Sequence, residues 1–238
     1  MYAYWSQCES MVADAHAANT SVLSDAQLVR GISRMGDTHR LRRKLERSEP
    51  LTFVVLGASN VVRGGCEVTQ RSKCSIYTNG WINQAWRSIK QRWPTSGAHE
   101  LYNHGMMATG PSGVTGCIDT LVPAHADAVL LAFADMCTDD GAGLQPKAGV
   151  ASQMGYGATG FGRSLESIIR SIAARADPPS LVLFNSFSWL CAKPASRLLN
   201  AMSEAPHECA FSERCDATLT DLAAYYHISI ISVRDAMY

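Results

Sequence analysis

Leu51-Thr52-Phe53-Val54-Val55-Leu56-Gly57-Ala58-Ser59-Asn60 is a short apolar run that delivers a serine set between small residues. Its length and composition predict a strand over 52–57, buried on both faces as in a parallel sheet. Ser59 then falls just past the carboxyl end of that strand, the edge at which open α/β sheets bind their ligands. This is where a hydroxyl nucleophile is presented. The plainer alternative is that Ser59 only turns the chain or caps a helix.

Outward from this run, apolar strands alternate with helical segments. Residues 1–27 are polar and Ala/Ser-rich, and 1–35 is read as a poorly defined leader ahead of one domain over 36–238. A helix is expected over 37–47. Asn79 is read as the cap of a helix through Trp81, Ala85, Trp86 and Ile89 to about Arg92, which Pro94 stops. Glu100–Asn103 is a second strand, and Ser112 is read as capping a helix from Val114 to Leu121. Ala128–Ala134 is a continuous apolar strand, and Gly141–Gly162 a long glycine-rich loop, either a lid or disordered. A helix over 163–174, a strand over 180–184, a helix over 218–226 and a strand over 228–233 complete the order. Such alternation predicts a parallel sheet covered on both faces, in three α/β/α layers.

Composition narrows the classes. Apolar residues make up 47% and charged residues 18% of 238, which fits a packed domain rather than a disordered or fibrous chain. Lys plus Arg equals Asp plus Glu at 21 each, so there is no global field for nucleic acid or an anionic membrane. The local run His39-Arg40-Leu41-Arg42-Arg43-Lys44 is read as the solvated face of an amphipathic helix. No signal peptide and no stretch of roughly 20 apolar residues is visible, so no membrane span is expected and the compartment stays open. None of the eight cysteines forms a C-x-x-C pair, so no metal site and no cofactor are expected. Most are read as free thiols. Cys66 with Cys74, or Cys209 with Cys215, are the pairs open to oxidation in an exported protein.

Four positions fall at the expected carboxyl edge. They are Ser59, the loop Asn103-His104-Gly105 to Ala108-Thr109-Gly110, Asp135, and Asn185-Ser186. A serine nucleophile needs a base to take its proton and donors for the developing oxyanion. Gly110 is placed to bring a backbone N–H close to substrate. His104 is the one histidine at this edge, with a loop or supporting role as its alternative. His99 and His227 precede strands and lie at the opposite edge, while His207 sits in a Cys-rich connection read as surface. Asp135 is equally a loop carboxylate. Trp81, Trp86 and Trp93 are read as packing of one helix rather than as a sugar platform.

With these residues in hand, the chain resembles the SGNH (GDSL-type) hydrolase superfamily, in particular its divergent esterase-like branch in algae and plants. Gly57-Ala58-Ser59 resembles the first block, and the lead-in from Gly36 to Leu45 is similar to the segment before it. Asn103 to Gly110 resembles the second block. Cys117, Pro123–Asp127 and Ser164–Arg170 also look like this branch. The resemblance implies a flavodoxin-like SGNH hydrolase fold of about five parallel strands. It also implies Ser59 as nucleophile and an oxyanion hole made by the backbone N–H groups of Ser59 and Gly110. A third-block Asn would complete that hole, and a late Asp-x-x-His would supply the base. The implied substrate is a small-molecule or carbohydrate acyl ester, O-acetylated carbohydrate being one candidate; oligomeric state is left open.

Two departures qualify this. Where the third block ends in Asn-Asp, this chain reads Phe133-Ala134-Asp135-Met136, and an ionised Asp135 cannot donate to an oxyanion. No Asp-x-x-His occurs, so the domain reads as incomplete before its final block. Three functions are therefore carried forward: a serine esterase or deacetylase, a catalytically degenerate or truncated member that at most binds a ligand, and a Rossmann-type nucleotide module. The last is weakest, because Ser59 and Val62 stand where G-x-G-x-x-G needs its second and third glycines.

Overall fold

The computed structural model describes residues 24–63, 80–106, 109–137, 158–186 and 216–237. The cysteines open to pairing, Cys66 with Cys74 and Cys209 with Cys215, together with His207 and most of the 141–162 loop therefore lie outside the described residues. So does Asn79; Gly80 stands at the N-cap of the helix expected there, with no side-chain cap.

The described strands are β1 (Ile32–Arg34), β2 (Thr52–Gly57), β3 (Glu100–Gly105), β4 (Ala128–Ala132), β5 (Ser180–Asn185) and β6 (Ser229–Ser232), and the apolar runs expected as strands account for β2, β4, β5 and β6. They form one sheet in the order β1-β6-β5-β4-β2-β3. β2 through β6 are parallel, as expected, in the flavodoxin-like arrangement. β1 adds a sixth, antiparallel edge strand on β6, formed by residues that the sequence alone placed in the leader. It is short, polar at Ser33 and Arg34, and has no apolar run to announce it.

The helices are α1 (Asp25–Arg30), α2 (His39–Glu46), α3 (Ser59–Arg63), α4 (Trp81–Arg92), α5 (Ile118–Leu121), α6 (Ala158–Ala173), α7 (Asp216–Tyr226) and α8 (Val233–Met237). The segment expected as one helix from Val114 to Leu121 is instead the 3-10 turn Thr115–Cys117 and the four-residue α5, preceded by a further 3-10 turn at Pro111–Gly113. Pro111 and two glycines there favour short turns over a continuous ladder. The end of the glycine-rich stretch, 158–162, is already α6.

Side chains alternate across the sheet. Val54, Leu56, Leu131 and Leu183 face α6 and α7, whose Phe161, Leu165, Ile169 and Leu219 close the larger core. Val55, Leu130 and Val182 face α3 and α4 through Val61 and Ile82. Trp86 is buried against Phe53, Trp81 stacks on Phe184 with ring centroids 4.6 Å apart, and Trp93 stays partly exposed. The tryptophans are packing groups of α4.

At the amino edge the basic run behaves differently from the expected solvated face. Asp127 is fully buried at the start of β4. Its carboxylate accepts from Arg40 Nε at 3.0 Å, from Lys44 Nζ at 2.8 Å and from the Thr52 backbone N–H at 2.8 Å. Two of the four cations in the run thus clamp α2 to the ends of β2 and β4, while Arg42 remains exposed in an i,i+4 pair with Glu46. A carboxylate 83 residues away in sequence left no local signal of this.

Both α2 and α7 end on a residue in the left-handed region, Ser48 (φ 53°) and His227 (φ 54°). Glu49 N–H returns to Lys44 C=O and Ile228 N–H to Ala223 C=O, so each helix closes in a Schellman turn without the usual glycine. Among the cysteines, Cys117 is free and exposed and Cys137 is disulfide-bonded, a bond absent from the pairs expected above.

Candidate active site

The site begins with Gly57. A Cβ on this residue would lie 2.3 Å from Val61 Cγ2 and 2.7 Å from the Ala132 carbonyl, so only glycine lets α3 start immediately over the strand end. Ala58 N–H binds the Ala132 carbonyl at 3.3 Å, and Met106 N–H binds the Gly57 carbonyl at 3.0 Å. The β2 terminus is thereby held between the ends of β4 and β3. Ser59 is the first residue of α3, in a strand–turn–helix corner.

This corner is also the topological switch point. From β2 the chain steps outward to β3 and then crosses to β4 on the other side, and crevices open where connections diverge in this way. Ser59 follows β2; Gly110 is buried and leads the 3-10 turn Pro111–Gly113 after β3; Asp135 lies in the turn Ala134–Met136 after β4. Three sequence-picked positions thus follow three adjacent strands at one edge. Asn185 and Ser186 follow β5. The Asn185 Nδ2 group is committed to Asp216 Oδ1 at 2.6 Å, which ties β5 to α7.

His104 lies inside β3, in register with Leu56, rather than in the loop beyond it. Alternation puts it on the face of Tyr102, beneath the larger core, with ring centroids 6.3 Å apart. Gly105, Asn103 and α3 share the opposite face: a Cβ on Gly105 would touch Val61 Cγ1 at 2.7 Å and Asn103 Oδ1 at 3.2 Å. Burial lowers the His104 pKa below its ordinary 6.5, partly offset by a hydrogen bond to the Leu121 backbone carbonyl. Its ring is engaged with α5, across the sheet from the helix that Ser59 begins.

The other described histidines sit away from this edge. His99 Nδ1 accepts from Leu51 N–H at 3.1 Å and Nε2 meets the Trp93 carbonyl at 2.8 Å, so it locks the start of β2. His125 lies beside Glu100 at the start of β3. His227 follows α7, before β6.

The sequence did not single out Asn60. Its Oδ1 and Nδ2 are buried without a partner among the described residues, as are Asn103 Nδ2 and Ser186 Oγ. These residues lie after β2, within β3 and after β5, toward the edge that carries Ser59. The Asn60 carbonyl meanwhile accepts from Trp81 Nε1 at 2.9 Å, which pins α3 to α4. A small polar residue following the serine was the only cue available in sequence. The backbone places Ser59 at this edge, but among the described residues no imidazole lies at this edge on the α3 face to supply the proton acceptor that a serine nucleophile needs. Among the described residues no group of three His, Cys, Asp or Glu side chains is placed to hold a metal ion, and no helix is long and apolar enough to cross a membrane.

No family model matches the chain, and no curated protein matches it in sequence. Its fold does have solved counterparts. A two-domain esterase active on acetylated mannans, co-crystallised with mannopentaose, superposes with a TM-score of 0.56 at 16% identity, covering 87% of this chain and 46% of that one. This chain therefore spans about half the length of that esterase. An acetyl-xylooligosaccharide esterase variant from Geobacillus superposes with a TM-score of 0.52 at 10% identity, covering 76% of this chain and 75% of that one. A further acetyl xylan esterase variant from Geobacillus stearothermophilus gives 0.50 at 12% identity, with 76% and 75% covered. The chain thus shares the α/β/α fold of these esterases, with the flavodoxin-like strand order described above.

Proposed function

We propose that this chain carries the nucleophile half of an SGNH-type ester hydrolase site for acyl esters, O-acetylated carbohydrate being the foremost substrate class. One observation carries the reading: Ser59 opens α3 at the switch point of a sheet whose fold is shared with esterases of acetylated mannan and xylan. Ser59 is the nucleophile, and its backbone N–H with that of Gly110 is the core of the oxyanion hole. The finer resemblance to the algal and plant branch rests on the segments 36–45 and 164–170, and it supports the same roles.

A second reading, that the protein is catalytically degenerate and at most binds its ligand, is favoured by two observations. His104 is directed to Leu121 across the sheet from α3. Asp135 stands where a donor side chain is needed, and loss of one oxyanion donor typically lowers the rate about 10²–10³-fold. Without a base the serine hydroxyl is a poor nucleophile near neutral pH.

Hydrolysis of p-nitrophenyl acetate by residues 1–238 distinguishes the two. Negligible turnover, the same for Ser59→Ala, is the expected result. Robust turnover abolished by Ser59→Ala would overturn the degenerate reading and identify an unrecognised base, with His104→Gln as the next variant. Fluorophosphonate labelling of the same two proteins reports independently whether the Ser59 hydroxyl is activated.

A further inference from the structure

The sheet face under α3 and α4 is covered only part of the way across. Val55, Leu130 and Val182, with Phe184 of β5 packed against them, lie beneath those helices, and no residue of β6 or β1 joins that cluster. Phe184 is in register with Ile231, and Ile231 with Ile32, so both isoleucines lie on the same face beyond it. Both are exposed. Leu28 and Val29 are exposed on α1, which leads into this border, and Met35 is exposed just after β1. Eight large apolar side chains are exposed among the described residues, and these five belong to one edge; Val29 and Met35 are 67% and 66% accessible. Exposed apolar residues are ordinary when scattered singly, whereas several on one edge mark a surface that association covers.

The charges along the edge select its occupant. Asp25 opens α1 and Arg30 closes it; both are exposed, and neither forms an ion pair among the described residues. Arg34, on β1, has its Nε buried without a partner. The neighbouring acid of α8, Asp235, is engaged by the Ser33 hydroxyl. From Asp25 to Arg34 the edge therefore runs from an acidic end to a basic one, with Leu28, Val29 and Ile32 between them. Laid antiparallel against itself across a two-fold axis, it brings each acidic end to a basic end and the apolar side chains to the middle. A parallel arrangement would oppose like charges.

We propose that the α1–β1 edge is a contact between two copies of this chain related by a two-fold axis. β1 ends the sheet, so one row of its backbone groups faces away from β6. The strand is only three residues long and carries Arg34, which limits open-ended strand addition and suits a closed pair. The contact lies at the far border of the sheet from β2 and does not depend on whether Ser59 acts on esters.

The test is sedimentation equilibrium of the full chain. The weight-average mass should rise toward twice the monomer mass between about 5 and 200 μM, where micromolar contacts are read. Val29→Asp should weaken association at least about tenfold, because it puts a charge where apolar surface is buried. The decisive arm uses Asp25→Lys and Arg30→Glu. Each alone sets like charges against each other at both ends of an antiparallel pair and should weaken association about threefold or more. Mixed in equal amounts, the two variants meet as opposite charges at both ends and should recover the wild-type mass. That recovery also shows that both variants are folded, since the mixture contains no wild-type chain. A constant monomer mass across the concentration range, wild-type association by Val29→Asp, or a mixture no heavier than its components would each overturn the proposal.

Discussion

Asp127 shows how one side chain organises an edge of this sheet. It is fully buried and meets two cations and a backbone amide, while its own backbone joins β2 to β5 through Thr52 and Ser180. Asp127→Ala would leave Arg40 and Lys44 without their shared partner and the Thr52 N–H unsatisfied. Removing one member of a buried charge network costs about 3–5 kcal/mol. Arg40 and Lys44 keep some contact with solvent, so the lower end is expected, measured by urea unfolding at neutral pH. The exposed Arg42–Glu46 pair should contribute little by comparison. His104 gives a pH signature. Burial depresses its folded-state pKa, so the unfolded chain binds a proton that the folded chain resists. Its contribution is complete above pH 6.5 and is lost as pH falls through the depressed value. The urea midpoint should therefore drop between pH 7 and pH 5, and His104→Phe should flatten that part of the drop. An unchanged slope in the variant would assign the effect to another group.

The elements are joined at contacts that only small residues permit. Gly57 lets α3 turn directly over β2, and Gly36 lets the chain entering α2 lie against the α7–β6 turn. At Gly36 an added Cβ would meet backbone atoms at 2.3–2.4 Å, and backbone cannot swing aside as a side-chain tip can. Gly36→Ala is expected to destabilise by about 1–3 kcal/mol, the range for forced overpacking, and to disturb the His227 amide in an NMR spectrum. α4 acts on the site at one remove. Trp81 stacks on Phe184 and donates to the Asn60 carbonyl, so the helix after β3's partner strand fixes the residue next to Ser59. Short helices such as α3 have little stability of their own; tertiary contacts of this kind hold Ser59 in place.

Across the molecule, one face of the sheet carries most of the core. Phe161 is fully buried there among α6, α7 and the strands. Phe161→Ala is expected to cost about 3–5 kcal/mol, a large part of a total that is typically 5–15 kcal/mol. A shift of the guanidinium midpoint with an unchanged slope checks it. The carboxyl and amino edges of the same sheet then carry different groups. Ser59, Gly110 and Asp135 follow strand ends at one, and the Asp127 clamp lies at the other.

Much of this was legible along the chain. The run Thr52–Gly57 was recognised as a strand to its last residue because full burial demands an uninterrupted apolar segment. The same logic located β4, β5 and β6, and with β2 it placed Ser59 at the carboxyl edge. Tertiary structure decided the rest. β1 was hidden because three residues on a sheet edge need no apolar pattern, only a neighbour with free backbone groups. Asp127 gave no sign of being a clamp because its partners lie on α2, far away in sequence. His104 looked like a loop residue beside Gly110; two more residues of β3 and the alternation of the strand turned its ring toward α5. Local patterns encode which residues must be buried, and so they fixed the strands and the place of the serine. Which side chains meet across the sheet depends on register and crossover, and those exist only in the folded chain.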